Sequence, residues 1–135
     1  MRVTCTSNLG KALPSKYFDL GYTEESVFDV SVGKEYPVLG IALWKSTLLL
    51  LLSDEYDLPN WHPVELFSVS DSRLDDGWFF AAYDRHPHEV DAVWGYERLV
   101  GDVSHWEALL ERDPDALKAF FQERFARQQT ERGDL

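Results

Sequence analysis

Two apolar runs dominate the hydropathy pattern, Tyr36 to Trp44 and Leu48 to Leu52, with the polar triplet Lys45-Ser46-Thr47 between them. Each run has strand length, and a break that short closes a hairpin, so the pattern predicts two antiparallel strands within Tyr36 to Ser53. The unbroken leucine run is far shorter than the ~20 apolar residues of a membrane span, and it suits a strand covered on both faces. This hairpin is the expected core, with the rest of the chain closing over it.

Weaker period-two segments surround it. Val3 to Thr6 reads as a short first strand. Ser26 to Val32 sets Phe28, Val30 and Val32 against Asp29 and Ser31, a half-buried strand pattern. Leu66 to Ser70 alternates again, and Trp78 to Tyr83 is rich in strand formers. Between these lie turn signals: Ser7 to Glu25 with Tyr17, Phe18 and Leu20 tucked inward, Gly33-Lys34, the cluster Asp71 to Gly77, and Asp54 to Glu65, too rich in Pro, Asn and Asp for regular structure. Pro37 has no amide hydrogen and belongs at a strand start or on an edge. Five or six short strands at this spacing predict a small antiparallel sheet or an SH3-like, partly open barrel in meander order.

The period then changes. Val93, Tyr96, Leu99 and Val100 recur at three and four and predict a helix, broken at Gly101-Asp102. Ser104 with Glu107 has capping-box spacing. Asp113-Pro114 starts a last helix with an acceptor at the cap and proline where its missing amide is harmless, and Leu117, Phe120, Phe121 and Phe125 share one face. The polar end, Arg127 to Leu135, is expected to fray. The expected class is α+β: one domain over residues 1–135, β-rich over 1–83, with two or three helices over 90–128 packed on the sheet.

Composition narrows the possible partners. The chain has 135 residues, 44% of them hydrophobic and 14% aromatic, as in a packed domain, and a net charge of −11. The charge is uneven. Residues 1–53 balance, whereas residues 54–91 hold ten acids (Asp54, Glu55, Asp57, Glu65, Asp71, Asp75, Asp76, Asp84, Glu89, Asp91) against Arg73 and Arg85. A field of that sign repels nucleic acid and anionic lipid and speeds encounter with a basic protein. No apolar segment of leader or membrane-spanning length occurs and Cys5 has no cysteine to pair with, so a cytoplasmic location and a small buried thiol are expected.

Chemistry is sparsely signalled. His86 and His88 lie two apart, as on one side of a strand, and with Asp84, Glu89 or Asp91 form a weak candidate metal site. Pro87 between them favours a solvated loop. His62 and His105 are candidate acid-base groups that need a partner within hydrogen-bond reach. The adjacent carboxylates Asp54/Glu55 and Asp75/Asp76 point to opposite faces if on a strand, a poor arrangement for a coupled dyad. The glycines form no phosphate-binding loop, and GxSxG, HExxH and CxxC are absent. Neither a catalytic residue nor a cofactor is indicated.

The segment GKEYPVLGIALW, followed by LLLLLSDEYDLPNWHPVELFSVSDSRLDDGWFF, resembles a diffuse group of small bacterial proteins. They share a strand pair opening G-K-x-Y-x-V-x-G-I, a Trp-x-Pro-x-x-Leu-Phe element (here Trp61 to Phe67) and a later Trp. Such chains are similar to single-domain immunity proteins encoded beside polymorphic or contact-dependent toxins. The likeness covers roughly residues 28 to 80, and its motifs are structural. It implies a neutralising protein that occludes a basic cognate toxin, with no nucleic-acid or membrane partner. On that reading Asp54, Glu55, Asp57, Asp75 and Asp76 supply charge, and Tyr56 and Trp61 supply aromatic anchors. The alternative is a small metal- or ligand-binding enzyme using His62, His86, His88 and nearby carboxylates. Oligomeric state is not encoded in any motif.

Overall fold

The leucine run is the middle of the molecule. In the computed structural model, which describes the backbone of residues 1–133 and the side chains of residues 1–127, the strands are β1 (Arg2–Cys5), β2 (Glu35–Pro37), β3 (Gly40–Trp44), β4 (Thr47–Ser53), β5 (Pro59–Pro63), β6 (Phe67–Asp71), β7 (Phe79–Ala82) and β8 (Val90–Gly95). Helices α1 (Glu97–Gly101), α2 (Val103–Leu110) and α3 (Pro114–Gly133) follow. The strands form two antiparallel sheets, ordered β2-β1-β6 and β5-β4-β3-β8-β7. The class is α+β, without a closed barrel.

The β3–β4 hairpin forms as the pattern predicts, pairing Gly40 with Leu51 through Trp44 with Thr47. Its turn is Lys45-Ser46, both left-handed at φ 47° and 63°. That twist matches a two-residue hairpin loop, and non-glycine residues adopt it at some cost. Leucines of β4 alternate between two cores. Leu50 and Leu52 pack with Val3, Cys5, Tyr36 and Val38 of the small sheet. Leu51 packs with Leu39, Ala42 and Val93 beneath Leu99, Trp106, Leu109 and Phe120 of the helices. Small sheet, large sheet and helices thus make three layers, and β4 needs apolar side chains on both faces because it is the middle one.

Several expectations are corrected. Ser26–Val32 is not a strand: apart from a bridge between Val27 and Leu9, it is irregular, and Val27 and Val32 are exposed. Its amides are taken by irregular partners, Phe28 by the Asn8 carbonyl and Ser31 by the Tyr36 hydroxyl. Asp54–Glu65, expected to be irregular throughout, contains β5. Pairing of β5 with β4 in the register Leu51 to Trp61 leaves Pro59 and Pro63 on the outer parity, where no amide is required. Val90–Gly95 is strand β8, not helix, and it sits between β3 and β7, which breaks the meander. The β-rich part therefore runs to Gly95, with eight strands among the described residues rather than five or six.

The close pairing of Gly40 and Gly95 explains the helical layer's approach. A Cβ on Gly95 would lie 2.8 Å from Leu99 Cδ2 and 2.9 Å from the Leu39 carbonyl oxygen. Only glycine lets α1 lay Leu99 directly on the sheet. Asp102, not Ser104, caps α2, accepting from the Ser104 amide at 3.0 Å. Asp113 caps α3 as expected, accepting from the amides of Asp115 and Ala116. Ala116 and Phe120 bury that helix, but Phe125 is exposed. Where fraying was expected, α3 continues to Gly133, and the last two residues of that stretch, 134–135, lie outside the described residues.

Candidate functional site

Most of the acids expected to face a partner are engaged within the fold. Asp54 is buried, and its carboxylate accepts from the amides of Tyr56 at 2.9 Å and Leu58 at 3.2 Å and from Asn60 Nδ2 at 2.6 Å. It builds the β4–β5 turn. Glu55 accepts from the Tyr36 hydroxyl and from Lys34 Nζ at 3.1 Å. Those bonds hold its carboxyl below the usual range, while burial pushes the Tyr36 phenol up to about 12. Asp57 pairs with Arg124 of α3, and Asp75 with Arg127 one turn further on and with the terminal amine. Both loops thus lie against one helix. Trp61 is half-buried and stacked on Trp106 at 4.4 Å between ring centres. Tyr56, at 72% exposure, projects freely, and Asp76 is exposed.

The histidines divide into two environments. His62 is buried between Phe28 and Phe67, neither ring nitrogen has a partner among the described residues, and burial lowers its pKa to about 4. A neutral ring sealed in this way has no access to a substrate. His105 is also buried, with Nε2 placed 2.6 Å from the Tyr96 hydroxyl, and burial lowers its pKa too. His86 and His88 are closer to the surface. His86 Nδ1 accepts the His88 amide at 3.1 Å, and His88 Nε2 lies 3.2 Å from Glu107 of α2. Among the described residues, no three of His, Cys, Asp and Glu are grouped to hold a metal. Beside His88 opens a cavity of about 400 Å³, between the β3–β4 turn, the β7–β8 connection and α2.

The sheet edges differ more than the loops do. Edge β5 carries Pro59 and Pro63, and Arg112 donates to the Pro59 carbonyl and, at 2.8 Å, to Asn60 Oδ1. Edge β2 is three residues long and ends in Pro37. Edge β6 sets Ser68 and Ser70 beside an exposed Val69 and ends at Asp71, which is tied to Arg73 at 3.0 Å, a bond that holds its carboxyl well below the usual range. Each of these edges is blunted in a way that discourages pairing with another chain.

Edge β7 is not blunted. Its sequence is Phe79-Phe80-Ala81-Ala82, with Phe79 51% and Phe80 56% exposed. The Tyr83 amide donates to the Asp91 carbonyl at 2.8 Å, and this fixes the parity of the strand. Phe79 and Ala81 turn their amides toward β8, and Phe80 and Ala82 turn theirs outward. Exposed carboxylates flank this edge at Asp76, Asp84 and Asp91. The sequence reading took Trp78 to Tyr83 only as a strand and marked neither phenylalanine as exposed. Their adjacency was the available signal, since neighbours on a strand point to opposite faces and only one of the two can meet the helices.

No family model, curated protein or solved structure matches the chain. Among the described residues, no helix is long and apolar enough to cross a membrane.

Proposed function

We propose that this protein is a protein-binding module of the immunity type, which neutralises a basic protein partner by docking it along the β7 edge. The supporting observation is that edge: it carries exposed Phe79 and Phe80, outward backbone groups at Phe80 and Ala82, and a rim of Asp76, Asp84 and Asp91. Exposed aromatics anchor interfaces once desolvated, and unpaired strand groups receive a partner strand. The acidic rim steers a basic partner and disfavours a second copy, which brings the same acids. The anchoring role moves from Trp61, which is committed to Trp106, to the two phenylalanines. On this reading the protein acts in the cytoplasm and carries no catalytic residue.

The test is association with the purified product of the neighbouring gene, followed by stopped flow at low and high salt. Replacing Phe79 and Phe80 together with serine weakens binding by about a hundredfold or more. Replacing Asp76, Asp84 and Asp91 with asparagine slows association by about tenfold at low salt and little at high salt. A neighbouring product that does not bind, or that binds the serine variant as tightly, overturns the proposal.

The enzyme alternative retains one specific observation, the His88–Glu107 contact beside the cavity. Purified protein holding stoichiometric zinc or iron that is lost in His86→Ala would favour it.

A further inference from the structure

The cavity beside His88 has a lining that the β7 edge does not explain. Tyr22 from the N-terminal segment, Trp44 at the end of β3 and Trp106 of α2 bring three aromatic residues to its wall, with Leu110 one turn beyond Trp106 and Glu89 from the β7–β8 connection. Trp106 is almost fully buried, and its Nε1 has no hydrogen-bond partner among the described residues. About 400 Å³ lies within the range of small-ligand sites.

The protein already places a cation on two of the lining residues, Trp44 and Glu89. The Lys45 ammonium lies 5.2 Å from the centre of the Trp44 ring and 2.8 Å from Glu89 Oε2. It is presented by the left-handed residue at the hairpin turn, and it is solvent-accessible on its outer side. An ammonium group held by an aromatic face and a carboxylate is the arrangement by which proteins recognise organic cations, because the ring quadrupole and the negative charge both favour positive charge over an isosteric neutral group. Lys45 makes this contact through one of the three rings, that of Trp44.

We propose that the cavity is a binding site for an organic cation with an apolar body, a quaternary ammonium group or the side chain of a lysine or arginine, and that Lys45 competes with it for Trp44 and Glu89. The site stands on its own residues and does not depend on the β7 reading.

The experiment follows the indole N–H signals of Trp44 and Trp106 by NMR in the full chain. The probes are choline, its neutral isostere 3,3-dimethylbutanol, and the acetylated methylamides of lysine and arginine. Saturable shifts at both indoles with the cations, and binding of 3,3-dimethylbutanol weaker by about tenfold, support the site. Glu89→Gln weakens cation binding, and Lys45→Gln, which removes the internal competitor, strengthens it. Both side chains are exposed, so neither variant disturbs the core. Tighter binding of the amino-acid derivatives assigns the cation to a partner's side chain, and tighter binding of choline assigns it to a free amine. Equal binding of the neutral isostere, no saturable shift with any cation, or a Lys45→Gln protein that binds no better overturns the proposal.

Discussion

Single residues in this protein often do the reverse of what their type suggests. His62 looks like an acid-base group and is a buried neutral spacer. Burial lowers its pKa from 6.5 to about 4, with Asp54 and Asp29 opposing weakly. Between those two values the unfolded chain binds a proton that the folded one excludes, so stability is full above the upper value and falls as pH drops toward the lower. The loss is on the order of 3 kcal/mol across the window. His62→Phe, which keeps a ring between Phe28 and Phe67, flattens this dependence in urea unfolding at pH 7 and pH 5. The lowered His86 and His105 leave a residual slope of the same sign. Asp54 looks like surface charge and is a turn-building acceptor. Asp54→Ala strands three donors and costs about 2–4 kcal/mol in the same assay, while Asp57→Asn, which loses an exposed pair with Arg124, costs about 1 or less.

At the scale of elements, the hairpin was legible because periodicity and turn length agree there. Strand β8 was not. Val93, Tyr96, Leu99 and Val100 satisfy a helical period only because the last turn of a strand runs directly into α1, and a strand covered on both faces leaves no alternation to read. Glycine was the missed sign: Gly95 is the site where a helix meets the sheet. Gly95→Ala brings a Cβ against the Leu39 carbonyl, whose peptide runs directly into the paired Gly40, and costs about 2–3 kcal/mol in thermal unfolding. Adding Leu99→Ala does not restore the loss, because the carbonyl contact remains. Strand β5 was missed for a different reason. Its prolines argue against a central strand, and the sequence does not state that this strand is an edge.

For the whole molecule, the charge distribution has two consequences. Ten of the 24 acids fall in residues 54–91, so self-repulsion is concentrated in the loops that flank α3 and β7. Raising salt from the low millimolar range to about 0.15 M, where the screening length is about 8 Å, raises the midpoint of thermal unfolding. A midpoint that falls instead would mean that the ion pairs of Asp57 with Arg124 and Asp75 with Arg127 outweigh the excess charge. Of the acids assigned to a partner, Asp54 is buried and Glu55, Asp57 and Asp75 are paired with groups of the fold, while the aromatic pair left outside was not singled out by the sequence.

The order of residues alone determined the α+β class, the central hairpin, the cap and buried stripe at the start of the last helix, and the excess of negative charge. Each of these depends on neighbours within a few positions, through period, turn length or simple summation. Only the tertiary structure decided that the strands divide into two sheets, that β8 enters between β3 and β7, and that β7 is left as the open edge. Those outcomes depend on which distant segments satisfy a strand's outer amides or cover its face. Arg112 reaching Pro59 from 53 residues away closes one edge, and no comparable residue among those described closes the other.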